Sequence, residues 1–254
     1  SNVEKLKAKG KSDNEARKAF NHTFVVPSDA NWDELFGTTK SIGSKLNKIA
    51  RRIEDENKRL TGVLTASKFD DKNNFPDNIM EELLIHFNKH NLSKDNLVKP
   101  DIFGDAYEYL LAEFASETKK KGGQFYTPHE VVRLLVELTK PKEGMRICDP
   151  TCGSGGMLVQ SWSFVKEKKG NPDNLTLHGQ ESNYSTVGMS KMNLVLHGVS
   201  DFRIEHGDTL ENPRLQEDGK LFSYDRILAN FPFSENWKAQ GKENDPYDRF
   251  RLGI

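Results

Sequence analysis

The sequence has little of what secreted and membrane proteins depend on. Two cysteines in 254 residues exclude a disulfide framework. The chain has no apolar run of about 18 residues, the length that a membrane-spanning helix needs, and its first residues hold no apolar signal core. The net charge is −1, with 37 Lys and Arg against 38 Asp and Glu, which excludes a generally basic nucleic-acid binder. We therefore expect a cytoplasmic protein without membrane contact, whose binding to nucleic acid would depend on a local patch or a partner.

The first half of the chain has the pattern of helices. Apolar residues recur at helical spacing between residues 40 and 60, from 79 to 87 and from 102 to 114. Three lysines and two glycines follow at 119–123, a composition typical of a flexible hinge. The sequence thus predicts an N-terminal helical domain over residues 1–121 and a second domain over residues 122–254. Thr127, Pro128 and Glu130 have the spacing of a capping box, which predicts a helix that begins there.

Short apolar segments alternate with helical patterns in the second domain. Strands are predicted at 145–149, 175–181, 202–208 and 224–230, with helices at 156–168 and 185–197 between the first three. The connection 209–223 is broken by Pro213 and leaves room only for a helix of one or two turns. This alternation predicts an α/β fold with a parallel sheet.

A polar residue ends each predicted strand, in the order Asp149, Glu181, Asp208 and Asn230. Ligands of open parallel sheets bind outside the carboxyl ends of the strands. Four polar ends on four successive strands therefore indicate a binding site at this edge.

The segment after the first strand reads Asp-Pro-Thr-Cys-Gly-Ser-Gly-Gly over residues 149–156. Glycines allow backbone amides to approach a ligand closely, and the helix that follows presents its N-terminus to it. An ordinary glycine-rich turn and a dinucleotide site are the alternatives, although the spacing is not Gly-x-Gly-x-x-Gly. Glu181 suits a ribose diol, as the acid after the second strand does in nucleotide-binding folds.

The segment after the fourth strand is Asn230-Phe231-Pro232-Phe233. The Asn230 amide and the Phe231 carbonyl can both accept hydrogen bonds from an amino group. Pro232 fixes the backbone between them and Phe233, whose ring suits a planar base. A strand-end turn with a core phenylalanine is the simpler alternative.

Together these motifs resemble those of amino-directed DNA methyltransferases that use S-adenosylmethionine (AdoMet). More closely, the chain resembles the modification (M) subunit of type I restriction-modification systems. Three segments carry the resemblance, in the order typical of the family: Gly122 to Pro128, Asp149 to Gly156, and Asn230 to Phe233. The segment Tyr107-Glu108-Tyr109-Leu110 also resembles the N-terminal domain of that subunit.

The resemblance implies an N-terminal helical domain followed by a Rossmann-like AdoMet-dependent methyltransferase domain, truncated here after its fourth strand. It implies AdoMet as the methyl donor, with Asp149 near its methionine amine, Glu181 near its ribose and Asp208 near its adenine. The other implied cofactor residues are Gln124, Phe125, Tyr126, Thr127, Pro128 and His129 at the methionine end, and Gly153, Ser154, Gly155 and Gly156 beneath the cofactor.

The resemblance also implies that Asn230, Phe231, Pro232 and Phe233 hold the target adenine of DNA for methylation at N6. Phe231 stands where the family usually has proline, and Gln124 where Glu is commoner. The implied partners are DNA, a specificity (S) subunit, a restriction (R) subunit and a second M copy. The motif alone leaves cytosine N4 open as the target, and a protein glutamine-N5 methyltransferase or a non-catalytic scaffold remain alternative functions.

Overall fold

The computed structural model describes residues 6–12, 24–92, 96–97, 101–117, 126–232 and 244–252. The chain divides into two compact units, residues 1–102 and 103–254. None of the helices in the described ranges combines the length and the hydrophobicity of a membrane span.

The first unit is helical, as its apolar spacing predicts. Its helices are α1 (Trp32–Phe36), α2 (Ile42–Glu56) and α3 (Asp77–Asn88), with a 3-10 turn at Lys58–Leu60. A small core joins them, made of Ala30, Leu35, Ile42, Ile49 and Met80. Buried Glu54 accepts hydrogen bonds from the amides of Gly62, Leu64 and Thr65 and thereby fixes the connection after α2.

The second unit is a parallel α/β sheet with helices, as predicted. Its helices are α4 (Ile102–Glu117), α5 (His129–Thr139), α6 (Gly156–Glu167) and α7 (Tyr184–Leu196). Its strands are β1 (Arg146–Asp149), β2 (Thr176–Glu181), β3 (Arg203–His206), β4 (Gln216–Glu217), β5 (Lys220–Leu221) and β6 (Arg226–Ile227).

The main sheet has the order β3-β2-β1-β6, and all of its pairs are parallel. Asp149 pairs with Gly179 across β1 and β2, and Glu181 pairs with His206 across β2 and β3. Because the strands are parallel and in this register, their carboxyl ends lie along one edge. The core beneath contains buried apolar residues of α5, α6, α7 and the strands, such as Val136, Leu158 and Leu194.

The structure differs from the predicted strands in two places. The fourth strand is shorter than 224–230: β6 covers two residues, and its pairing with β1 ends where the Leu228 amide donates to the Cys148 carbonyl (2.9 Å). The connection 209–223 holds the antiparallel β4–β5 hairpin where we expected at most a short helix. Asp218 and Gly219 form its turn with φ of 50° and 74°, which is the geometry of a two-residue hairpin loop.

The predicted capping box at Thr127 is wrong. Helix α5 begins at His129, Pro128 is its N-cap, and no side chain in the described part of the chain caps it. The Pro128 carbonyl accepts from the amides of Val131 (3.0 Å) and Val132 (3.1 Å). Thr127 thus lies one residue outside the cap, which frees its hydroxyl for a different partner.

Helix α4 belongs to the second unit, whereas the sequence placed the boundary after residue 121. Tyr107 of α4 donates a hydrogen bond to the Met189 carbonyl of α7 (3.4 Å). Gly104 lies so close to His197 that an added Cβ would be 2.7 Å from the imidazole ring. These contacts hold α4 against the sheet domain.

Candidate functional site

A cleft opens at the carboxyl edge of the sheet. Its walls come from three separate parts of the sequence that the motifs singled out. They are residues 126–127 before α5, the glycine loop after β1, and Asn230 after β6. The predicted site residues that line it are Tyr126, Thr127, Asp149, Gly153, Ser154, Gly156 and Asn230.

The backbone conformation of the loop favours glycine at two positions, and a third glycine borders open space. Gly153 and Gly155 have φ of 51° and 80°, a region that favours glycine. An added Cβ at Gly155 would lie 2.6 Å from the Ser190 hydroxyl of α7, so this glycine is required by packing between helices. At Gly156 an added Cβ would meet no atom within 4 Å among the described residues. Gly156 is therefore the position where a side chain would intrude into the cleft.

Asp149 is a buried carboxylate at the floor of the cleft. Its exposure is 2%, and Oδ1 accepts one hydrogen bond from the Thr151 amide (3.1 Å). Burial, with a smaller contribution from the nearby Glu181 charge, raises its pKa to about 7. A positively charged group in the cleft would favour the ionised form of this side chain.

Glu181 ends β2 and braces the loops on either side of it. One carboxylate oxygen accepts from the Gly153 amide (3.1 Å), and the other accepts from the Asn183 amide (2.7 Å). Its exposure is 8%. The side chain therefore fixes the glycine loop and lies next to the cleft wall at Gly153.

Asp208 lies two residues past β3 and is exposed. Its Oδ1 accepts from the amides of Leu210 (2.8 Å) and Glu211 (3.0 Å), which closes a turn. Arg249 secures that turn, since its guanidinium donates to the carbonyls of Thr209 (2.7 Å) and Leu210 (2.9 Å). Thr209 in turn donates to the Pro150 carbonyl of the glycine loop. The turn after β3 and the glycine loop are thus joined.

Asn230 and Thr127 meet although 103 residues separate them. The Asn230 amide group donates to the Thr127 hydroxyl (3.1 Å), which leaves the Asn230 carbonyl oxygen to accept from a ligand. The hydroxyl that the capping box would have used therefore orients the amide of the last motif. Phe231 follows with a side chain that is 57% exposed. Pro232 comes next and is half-buried.

The remaining predicted residues fall into two groups. Gln124, Phe125 and Phe233 lie outside the described residues. The described residues Pro128, Gly155, Glu181, Asp208, Phe231 and Pro232 are absent from the lining of the cleft, and His129 lines a second cavity beside it.

Several lining residues were missed from the sequence. Thr151, Cys152 and Met157 belong to the glycine segment or follow it, and Val132 lies one turn into α5. Cys152 is 5% exposed, packs in the core and also lines the cleft. Burial raises the pKa of its thiol, which is therefore neutral. Its position inside the glycine motif was the available signal.

The fold and the cleft define a class: a parallel α/β domain with an open cleft between a glycine loop and an Asn-Phe-Pro segment. Residues 98–253 match the family model described as N-6 DNA Methylase, and residues 1–99 match the HsdM N-terminal domain. The first match covers more than half of the chain. The protein belongs to the N-6 DNA methylase family.

Curated relatives agree with this assignment. The type I restriction enzyme MjaVII methylase subunit of Methanocaldococcus jannaschii is 34% identical over 257 residues, covering 96% of this chain and 42% of the relative. The type I restriction enzyme HindI methylase subunit of Haemophilus influenzae is 32% identical over 244 residues, covering 87% of this chain and 53% of the relative. The chain thus spans about half the length of these relatives, or less.

Solved structures show the same fold. The type I restriction-modification methyltransferase subunit of Streptococcus thermophilus superposes with a TM-score of 0.76 at 22% identity, over 96% of this chain and 54% of that one. A chain from a type I restriction-modification system studied for complex assembly gives a TM-score of 0.63 at 23% identity, with coverages of 96% and 51%.

Proposed function

We propose that this chain is part of the modification subunit of a type I restriction-modification system, which transfers a methyl group from AdoMet to adenine N6 in DNA. The observation that carries the proposal is the meeting of Asn230 with Thr127 at the cleft of the glycine loop. This places an amide acceptor for an amino group beside the loop that would hold the methyl donor. Membership of the N-6 DNA methylase family supports the choice of adenine N6.

The residues of the cleft fit AdoMet. The open space at Gly156 admits a ligand against the backbone. Asp149 is a buried carboxylate with one hydrogen bond, suited to the positive charge of a sulfonium compound. Glu181 and Asp208 lie at the ends of the neighbouring strands, where they suit a ribose diol and an adenine amino group.

The bound cofactor supplies an electrophilic methyl group, and the protein supplies the geometry. The Asn230 carbonyl oxygen and the Phe231 backbone carbonyl accept hydrogen bonds from the two N–H groups of the target amino group. These hydrogen bonds favour a tetrahedral nitrogen whose lone pair points away from the ring. Thr127 keeps the Asn230 amide in the required orientation, so that positioning accounts for much of the rate.

The target base must leave the duplex to reach this cleft. The role proposed for Phe233 is to stack its ring on the flipped base, as the family resemblance implies. Such stacking contributes about 1–3 kcal/mol per base. The near-neutral charge of the chain agrees with an assembly in which partner subunits make most of the contacts to DNA phosphates.

The proposed partners are DNA, a specificity subunit that reads the sequence, a restriction subunit and a second modification subunit. The relatives are named as subunits of type I restriction enzymes, which supports an assembly of this kind. The cytoplasm is the proposed location, because the substrate is cellular DNA.

Methyl transfer from labelled AdoMet to duplex DNA tests the proposal in the full-length protein assembled with its partners. We expect Asn230→Ala to bind AdoMet nearly normally and to transfer no measurable methyl group, because the cofactor is held by other residues. Asn230→Asp should retain part of the activity, since a carboxylate also accepts from the amine. A release-factor peptide is the control substrate and should stay unmodified. Methylation of DNA by Asn230→Ala at the wild-type rate would refute the mechanism.

A further inference from the structure

The turn after β3 engages Asp208 through one of its two carboxylate oxygens. Oδ1 accepts from the amides of Leu210 and Glu211. Among the described residues, no hydrogen bond to the Asp208 side chain uses Oδ2. This oxygen is therefore available to a ligand, and its direction depends on how firmly the surrounding turn is fixed.

Gln180 of β2 fixes the two ends of this turn from the sheet. Its exposure is 1%, and its Nε2 donates to the carbonyls of Gly207 (3.0 Å) and Asn212 (2.9 Å). Its Oε1 accepts from the Arg214 amide (2.9 Å). The buried amide thus uses both of its functional groups on the turn, but it does not reach the two carbonyls in the middle.

Arg249 fixes the middle of the turn from the other side. Its Nη1 donates to the Thr209 carbonyl (2.7 Å) and its Nη2 to the Leu210 carbonyl (2.9 Å). Nε and Nη2 also donate to the Asp245 carboxylate, at 3.1 Å and 2.6 Å from Oδ1. A planar guanidinium can serve a carboxylate and two carbonyls at once, whereas the ammonium of a lysine cannot reproduce this geometry.

Asp245 orients Arg249 before it reaches the turn. The Asp245 side chain is 5% exposed and that of Arg249 is 20% exposed. Asp245 Oδ2 also accepts from the amides of Tyr247 (3.2 Å) and Arg249 (2.9 Å). The Tyr247 hydroxyl donates to Gln216 Oε1 (2.8 Å), which gives the segment a second attachment at β4. The guanidinium is therefore held in place by its own segment, and the turn receives a preorganised pair of donors.

We propose that Arg249 is a positioning residue of the cofactor site: it holds the turn after β3 in the conformation in which Asp208 Oδ2 accepts from the adenine amino group of AdoMet. The inference rests on the proposed function and adds a residue to it. Arg249 follows every motif that the sequence analysis used. It acts through Asp208, so its influence is confined to recognition of the amino group and does not extend to the rest of the cofactor.

Calorimetry on the full-length protein with two ligands tests the inference. S-adenosylhomocysteine carries the adenine amino group, and S-inosylhomocysteine has a carbonyl oxygen in its place. The wild type should bind the first ligand more tightly by roughly tenfold, because a site that accepts from an amino group rejects a carbonyl oxygen there. Asp208→Asn should remove this preference, because its amide group donates where the carboxylate accepted.

Arg249→Lys should reduce the same preference to about threefold or less and leave the affinity for S-inosylhomocysteine nearly unchanged. When it is added to Asp208→Asn, Arg249→Lys should change the ratio of the two affinities by less than about twofold, because it acts through Asp208. Arg251→Lys is the matched control, since Arg251 is exposed on the same segment, and it should leave the preference intact.

Equal weakening of both ligands by Arg249→Lys would give Arg249 a purely structural role and overturn the inference, as would a preference equal to that of the wild type. Asp245→Asn removes the charge that orients the guanidinium, and it decides the question if Arg249→Lys does not fold. It should lower the preference in the same direction, and a full preference in this variant would also overturn the inference. If the wild type binds neither ligand, the proposed function fails too, whereas a preference that depends on Asp208 but not on Arg249 refutes the inference alone.

Discussion

Asp149→Asn should stabilise the ligand-free protein at neutral and alkaline pH. The pKa of Asp149 is raised to about 7 from an ordinary 3.8 because the carboxyl is buried. A raised carboxyl pKa means that folding favours the protonated form, so this stability is present at low pH and is lost as the pH rises through about 7. The difference between these two pKa values corresponds to about 4 kcal/mol of unfolding free energy, at about 1.36 kcal/mol per pH unit. This figure is an upper value. Because asparagine does not ionise, the variant avoids this loss of stability. Its side-chain oxygen still accepts the hydrogen bond from the Thr151 amide.

Urea denaturation of both proteins between about pH 5 and about pH 8 measures this effect. The stability advantage of Asp149→Asn should grow by up to about 1.4 kcal/mol per pH unit and level off above about pH 7. Asp208→Asn is the control, because Asp208 is an exposed aspartate that follows β3. The difference in stability between this variant and the wild type should not follow this pH dependence. An advantage that is independent of pH, or a variant less stable than wild type at about pH 8, would refute the reasoning.

Two further predictions concern the glycine loop and the sheet. Gly156→Ala should fold normally, because its Cβ would meet no described atom within 4 Å, yet weaken AdoMet by roughly tenfold in calorimetry. Gly155→Ala should instead lower the melting temperature, since it combines a φ of 80° with a contact of 2.6 Å to Ser190; equal melting temperatures for the two variants would contradict this assignment. Burial lowers the pKa of His178 to about 4, so wild-type stability should fall as the pH drops from about 6.5 to about 4. In thermal denaturation, His178→Phe should lose less stability over this acidic range than the wild type does. An equal loss of stability in both proteins would argue against the role of His178.

The strands that could be predicted well are those with strong local signals. β1 and β2 are buried runs that end in an acid, and glycines with positive φ follow β1. The β4–β5 hairpin was missed even though Asp218-Gly219 is a strong turn signal. Its strands carry polar residues such as Glu217 and Lys220, so no alternating apolar pattern drew attention to the turn.

The sequence predicted which residues belong to the site, but not the hydrogen bonds between them. The motifs predicted Asp149, Gly156 and Asn230 at one edge, where they line one cleft. The hydrogen bond from Asn230 to Thr127 spans 103 residues, and no local pattern indicates such a partner. For the same reason the local pattern predicted a capping role for Thr127, whereas the N-cap of α5 is Pro128.

The close packing of α4 on α7 has a consequence for dissecting the protein into parts. A fragment that begins at residue 122 would omit α4 and so remove the imidazole contact at Gly104, the Tyr107 hydrogen bond and the carboxylate of Glu108. It would uncover His197, which is 7% exposed when α4 is in place. A fragment that begins near residue 101 retains all of these contacts. Limited proteolysis should accordingly leave α4 attached to the sheet domain, so that the shortest stable piece carries sixteen helical residues ahead of the first motif.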